Sequence, residues 1–265
     1  MMRDAMKFWR GSGAWLLSLC LLTMVVGPAC APKDDSAGSK ETATTDNGGK
    51  STAPESGDEK KDAPAEEAAD PATIPANLKT DAFAYYGLDN SKPLKFEMTA
   101  SGQSPMSGEQ TVKFLGMKDG KATYNVERTG DLAANMGSQE MELSEKGLFV
   151  TSTTMGSIGE PTLELPSTLK AGDTWKLDQK LETTGGQTIE TKSVYKVVGV
   201  QKVKTKGGDF DALLITAAGP ATYAGNTVQM EMKAWYAKGY GAVKSEITTK
   251  DKSGKTSKVL IELTK

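Results

Sequence analysis

The side chains able to do chemistry are few and mostly of one kind. The 265-residue chain contains no histidine. That removes the commonest general base near neutral pH, the commonest zinc ligand and every Ser-His or Cys-His nucleophile. The only two thiols are Cys20 and Cys30, so no disulfide, thiolate nucleophile or cysteine metal site is expected in anything that follows them. Phosphate-loop and dinucleotide fingerprints are absent, and neither a cofactor nor a metal is expected. What remains is carboxylate chemistry, of the kind two opposed acids perform on glycosidic bonds. Glu140/Glu142 and Asp209/Asp211 are candidate acid pairs. Their i, i+2 spacing puts each pair on one face of one strand, where solvated charge is the simpler reading. No catalytic residue is expected, and a carboxylate-based hydrolase stands third among the readings below.

Cys30 offers a different chemistry. Residues 14–26 (AWLLSLCLLTMVV) are almost wholly apolar and follow Arg3, Lys7 and Arg10; small residues lead into the cysteine as V-G-P-A-C, residues 26–30. This layout resembles a bacterial lipoprotein signal peptide, which implies lipidation of Cys30, cleavage before it and a membrane anchor made of acyl chains. Thirteen residues rise only about 20 Å as a helix, short of a roughly 30 Å hydrocarbon core. Ala29-Cys30-Ala31 also fits ordinary signal peptidase, which would release a soluble protein. Ala31 rather than Asp after the cysteine implies the outer membrane, by the sorting rule known for enteric lipoproteins.

Charge then divides the chain. Residues 31–70 carry five Lys against eleven acids, a net of −6, with no aromatic residue; residues 71–265 carry 24 basic against 22 acidic residues, a net of +2. The first segment cannot bury enough apolar surface to offset its ordering entropy. The second gives no electrostatic case for nucleic acid. The expected organisation is a signal peptide over 1–29, a disordered acidic tether over 30–78 with lipidated Cys30, and a β domain over 79–265.

That domain reads as strand after strand. In 94–100 Leu94, Phe96 and Met98 share one face, and 111–117 with 121–128 form a hairpin around Asp119-Gly120. Further strands are expected over 139–143, 148–154, 174–181, 188–199, 210–218, 227–236, 241–249 and 257–264, with a short helical turn at 130–135. About ten antiparallel strands with polar turns imply an all-β fold that curls into a half-barrel or barrel, or else pairs as a sandwich.

Three segments carry a resemblance. They are Leu165-Pro166 … Ala171-Gly172-Asp173-Thr174-Trp175, then Lys206-Gly207-Gly208-Asp209-Phe210-Asp211-Ala212-Leu213-Leu214-Ile215, then Lys233-Ala234-Trp235-Tyr236-Ala237-Lys238-Gly239-Tyr240-Gly241-Ala242-Val243-Lys244-Ser245-Glu246. In this order they resemble a family of exported bacterial β proteins of unknown function, often lipoproteins, with a W-Y-A-x-G-x-G-x-V-K-x-E signature. The resemblance implies an all-β fold and no established activity. Gly239 and Gly241 are explained by positive φ or close packing in a tight connection. Trp175, Phe210, Trp235 and Tyr236 are most simply core anchors, and neighbouring Trp235 and Tyr236 must face opposite sides of their strand. Alternating Met230 and Met232 fill gaps or line an adaptable apolar pocket.

The leading functional reading is a non-catalytic, membrane-anchored envelope lipoprotein. Its β domain would bind an apolar or lipid-like ligand, or another envelope protein, through some of Trp175, Phe210, Met230, Met232, Trp235 and Tyr236. The alternative is a purely structural or assembly protein with no pocket. A cavity above roughly 300 Å³ favours the first and a filled interior the second.

Overall fold

The computed structural model describes residues 73–265. The expected signal peptide, Cys30 and the tether before Thr73 lie outside the described residues. Thirteen antiparallel strands form one sheet. In chain order they are β1 (Leu94–Ala100), β2 (Met106–Lys118), β3 (Lys121–Arg128), β4 (Gln139–Ser144), β5 (Gly147–Thr153), β6 (Gly156–Ile158) and β7 (Thr162–Pro166), then β8 (Thr174–Thr183), β9 (Thr188–Thr205), β10 (Gly208–Tyr223), β11 (Asn226–Ala237), β12 (Gly241–Lys250) and β13 (Thr256–Leu263). The order β4-β3-β2-β1-β13-β12-β11-β10-β9-β8-β6-β5 closes on itself because β4 also pairs with β5. Twelve strands therefore make a barrel, and β7 is an extra strand on β5. The barrel reading holds and the sandwich does not; the strand count exceeds ten chiefly through the short β6 and β7.

Alternation sends one face of each strand inward. On β8 Trp175, Leu177, Gln179 and Leu181 are buried, and on β13 Val259, Ile261 and Leu263. Exposed Lys176, Asp178, Lys180, Glu231, Lys233 and Lys258 occupy outward positions. Met98 and Ser245 flank Ile261 on the two neighbouring strands, so the hairpin of β12 and β13 ties the first strand to the rest of the wall.

Among the described residues, two short α-helices and a 3-10 turn at Ala76–Leu78 complete the core. α2 (Gly130–Met136) buries Leu132, Asn135 and Met136 and coincides with the expected turn. α1 (Asp81–Tyr86) was not foreseen as a helix. Thr80 caps it by accepting the Phe83 amide at 3.5 Å, and Gly87 ends it at φ 73°. It touches β5, β7, β11 and β12, strands on distant parts of the wall, so it lies across one mouth of the barrel. Ile74 and Leu78 are buried together with Ala82, Phe83, Tyr85, Tyr86 and Leu88. The packed region thus begins before residue 79, and residues 73–78 belong to the core-bearing chain rather than to a disordered tether. The cause is a pair of isolated aliphatic side chains that join the core, which composition averaged over a polar segment does not reveal.

The β11–β12 connection is where glycine is required. Gly239 and Gly241 have φ of 76° and 78°. The Gly239 amide donates to Ala84 O at 2.8 Å, and Asn90 Nδ2 donates to Gly239 O at 2.8 Å. A Cβ on Gly87 would come within 2.8 Å of the Tyr240 nitrogen, so helix and turn meet backbone to backbone.

Two stability outcomes follow from this packing. Ile261→Ala should cost about 2–5 kcal/mol while Lys258→Ala stays within about 0.5 kcal/mol, read by urea denaturation. Comparable losses would contradict the register. A chain beginning at Thr80 should melt lower than one beginning at Ala31, because it loses Ile74 and Leu78; equal melting temperatures would mean that these side chains contribute nothing.

Candidate functional site

The barrel wall is unevenly sealed. β5 offers one edge to β4 and divides the other, Gly147–Val150 pairing with β7 and Thr153 with β6. β6 in turn pairs only with Leu181, Glu182 and Thr183 of β8. The stretch 174–180 of β8 is hydrogen-bonded to β9 and has β7 beside it without a ladder. Between them lies an open cleft of about 390 Å³ lined by residues 159–163 and by Lys176, Leu177, Asp178, Gln179 and Lys180.

The interior also holds buried polar groups. Glu164 on β7 is 3% exposed and accepts a hydrogen bond from the Tyr236 hydroxyl at 3.3 Å. Burial pushes its carboxyl up to about 8, against the opposing pull of the Tyr236 hydrogen bond and the Arg128 charge. The Tyr236 hydroxyl is itself held well above its usual range, by burial first and then by Glu164, Tyr86 and Tyr195. Arg128 is fixed by Gln110 Oε1 (2.9 Å), Gly137 O (2.8 Å) and Gln139 Oε1 (3.3 Å). A cavity of about 40 Å³, room for a water molecule, lies beside it among Tyr86, Phe96, Leu132, Met136, Ser245 and neighbours.

The residues expected at a contact site separate into three places. Trp175 and Tyr236 point inward; Trp175 stacks on Tyr195 at 5.0 Å and 23°, and Tyr195 is among the charges felt by Tyr236. Met230 and Met232 are also buried inside. Trp235 lies on the outer face, half-buried, with Lys244 Nζ 5.4 Å from its ring centre; the opposite facing of Trp235 and Tyr236 is as alternation requires. Phe210 sits at the rim, edge-on to Tyr240 at 5.2 Å. It lines an open cleft of about 400 Å³ with Pro93, Leu94, Lys95, Gly207, Gly208 and the chain end.

The acid pairs are not brought together. Glu140 and Asp211 are exposed, and Glu142 is ion-paired with Lys121 at 2.6 Å. Among the described residues no group of three or more acidic, cysteine or histidine side chains is arranged to hold a metal. Glu164 and Arg128 were missed. The only signal was the sequence Leu163-Glu164-Leu165, which reads as an ordinary alternating strand with its acid outward.

With this geometry in place, comparison with known proteins identifies the family. A family model described as DUF3108-like matches residues 119–260, more than half of the chain. The chain therefore belongs to the DUF3108-like family, and all three motifs lie within the matched segment. No curated protein matches. Among solved structures, a putative lipoprotein from Parabacteroides distasonis is similar at 12% identity and a TM-score of 0.47, covering 68% of this chain and 96% of that one. A putative exported protein with a YmcC-like fold from Bacteroides fragilis gives 14%, 0.44, 66% and 96%. The hypothetical lipoprotein YmcC from Escherichia coli gives 10%, 0.30, 70% and 90%.

Glu164 makes a pH dependence predictable. Its folded pKa, about 8, lies above the ordinary carboxylate value of 4.5, so the unfolded chain releases the proton first. The stability it contributes is complete below that ordinary value and is lost as pH rises towards 8, by at most about 1.4 kcal/mol per pH unit. Glu164→Gln should remove this decline and raise stability at the alkaline end. Chemical denaturation at several pH values checks it; identical pH profiles for the two proteins would show that Glu164 does not ionise in this way.

Proposed function

We propose that this member of the DUF3108-like family is a non-catalytic lipoprotein of the bacterial envelope. In this reading it is anchored through acylated Cys30, in the outer membrane, and its barrel binds a ligand or envelope partner at the opening between β7 and β8. The observation that carries the reading is the distribution of charge. Lysines and acids occupy most outward positions of the strands, interrupted by exposed Leu115 and Met117 on β2 and Val194, Val198 and Val200 on β9, while Leu, Met and Tyr fill the interior. A lipid-facing barrel has the opposite arrangement, so this wall belongs in water, and membrane attachment falls to the cysteine that follows the apolar leader.

Two features favour the non-catalytic part. The acid pairs lie on outer surfaces, and the deeply buried carboxyl of Glu164 is hydrogen-bonded and shielded within the barrel. The kind of ligand narrows as well. The roughly 300 Å³ expected of a preformed acyl-chain pocket contrasts with about 40 Å³ beside Arg128, whereas the cleft between β7 and β8 is of ligand size. The dense core also suits the second reading, a structural or assembly protein that takes no ligand.

Cell fractionation tests the anchor. Cys30→Ser should move the protein from the membrane to the soluble fraction or leave it uncleaved. Wild-type protein found soluble with its N-terminus at Pro32 would overturn the lipoprotein reading.

A further inference from the structure

The inner faces of β8 and β9 carry polar side chains that no group among the described residues satisfies. Gln179 Oε1, Thr191 Oγ1, Ser193 Oγ and Trp175 Nε1 are buried without a hydrogen-bond partner among the described residues. Gln179, Thr191 and Ser193 are only 5%, 1% and 3% exposed. They are contiguous: Gln179 stands directly opposite Thr191, and Leu177 opposite Ser193, with Trp175 opposite Tyr195 one step further on. Side chains so paired have Cβ atoms roughly 5 Å apart. Four polar atoms left together in a core are costly, and Leu or Val at these positions would pack without that cost.

The strand beside this ladder carries small residues. β10 sets Ala221 against Thr191 and Ala217 against Tyr195, with Gly219 between them. A Cβ on Gly219 would collide with the Lys192 carbonyl, so glycine here permits the close approach of β9 and β10. Beyond them on β11 stand Met230 and Met232, opposite Gly219 and Ala217. Unbranched thioether side chains change rotamer cheaply, so they can yield the space above the small residues. The cleft between β7 and β8 reaches the ladder from outside at Leu177 and Gln179.

We propose that the Gln179–Thr191–Ser193 ladder, with the Trp175 indole N–H, is a binding site for a small neutral polyhydroxyl ligand of monosaccharide size, admitted between β7 and β8. The donor set selects that chemistry. Gln179 Oε1 needs a donor, the indole needs an acceptor, and the two hydroxyls serve as either, which matches adjacent hydroxyl groups. None of these four groups is charged, so neither an anion nor a cation is favoured. The lysines of β8, Lys176 and Lys180, point outward. The proposal rests on the binding reading above and gives it a ligand class.

Saturation-transfer NMR on the full-length protein tests it, with D-glucose, N-acetylglucosamine and glycerol as probes. At least one sugar should give a saturable signal. A Gln179→Leu/Thr191→Val/Ser193→Ala variant should bind it roughly tenfold or more weakly while melting no lower than wild type. Should the triple variant melt early, Thr191→Val alone should still show weakened binding. Absence of a saturable signal with all three probes, or equal signals from wild type and the variants, would overturn the site. Neither result bears on the anchor, which the Cys30→Ser fractionation reads separately.

Discussion

The pairing of β5 is the constraint on which the rest of the molecule depends. A sheet with one apolar face must hide it, and here it does so by curling until β4 meets β5. β5 is only seven residues long, yet its far edge has to serve two neighbours, β7 along its first half and β6 at its end. β6, at three residues, is long enough to join β8 at Leu181–Thr183 and no further. The seal is therefore complete at one end of β8 and absent along 174–180. An edge left without a ladder partner is normally a liability. Here the unladdered stretch faces β7 across a cleft within the same molecule.

The position of β7 explains the buried charge. It hangs on β5 outside the closed ring, and α1 covers its end, with the Asp81 amide bound to Ser167 O at 3.0 Å and Asp81 Oδ2 accepting from Leu169 N at 3.0 Å. Consecutive Glu164 and Leu165 are both buried because the β5–β7 register shifts there, Leu165 facing Leu148 and Leu163 facing Phe149, with Glu164 as the extra residue of a bulge. Glu164 is thus committed to the interior by its neighbours, and Tyr236 on β11 supplies its hydrogen bond. A carboxyl held there is favoured in its neutral form.

The long strands were legible because their alternation is regular. β1, β8 and β13 place the same side chains inside that a period of two predicts, and the hairpin at Asp119-Gly120 has Asp119 at φ 51° and Gly120 at φ 76°, as such a turn demands. The glycines of the β11–β12 connection were legible for a similar reason, since Gly239 and Gly241 carry the left-handed backbone. Three residues of β6 are too few to show any period. β7 carries a bulge at Glu164, so its alternation misdirects, and with it Glu164 was lost. Ile74 and Leu78 were lost because an isolated aliphatic residue in a polar stretch gives no periodic signal. Of the interior groups, Trp175 and Tyr236 could be foreseen as anchors. Gln179, Thr191 and Ser193 stand at inward positions of strands already identified, but polar side chains add nothing to a hydrophobic alternation.

Inside and outside of this barrel thus solve different problems. The outer wall meets water with charges of both signs, and its exposed pairs such as Lys113–Glu127 at 2.7 Å contribute little to stability. Stability comes from the apolar interior, where almost every inward Leu, Ile, Val and Met is buried. Against that background the polar strip on β8 and β9 stands out, because it sits where hydrophobic side chains would stabilise the fold more and where the wall is unsealed. Both departures from the simplest closed and apolar barrel fall on the same strand, β8. A feature that costs stability twice at one place is expected where a function is served, and it directs the search for a ligand to that side of the barrel rather than to its capped mouth.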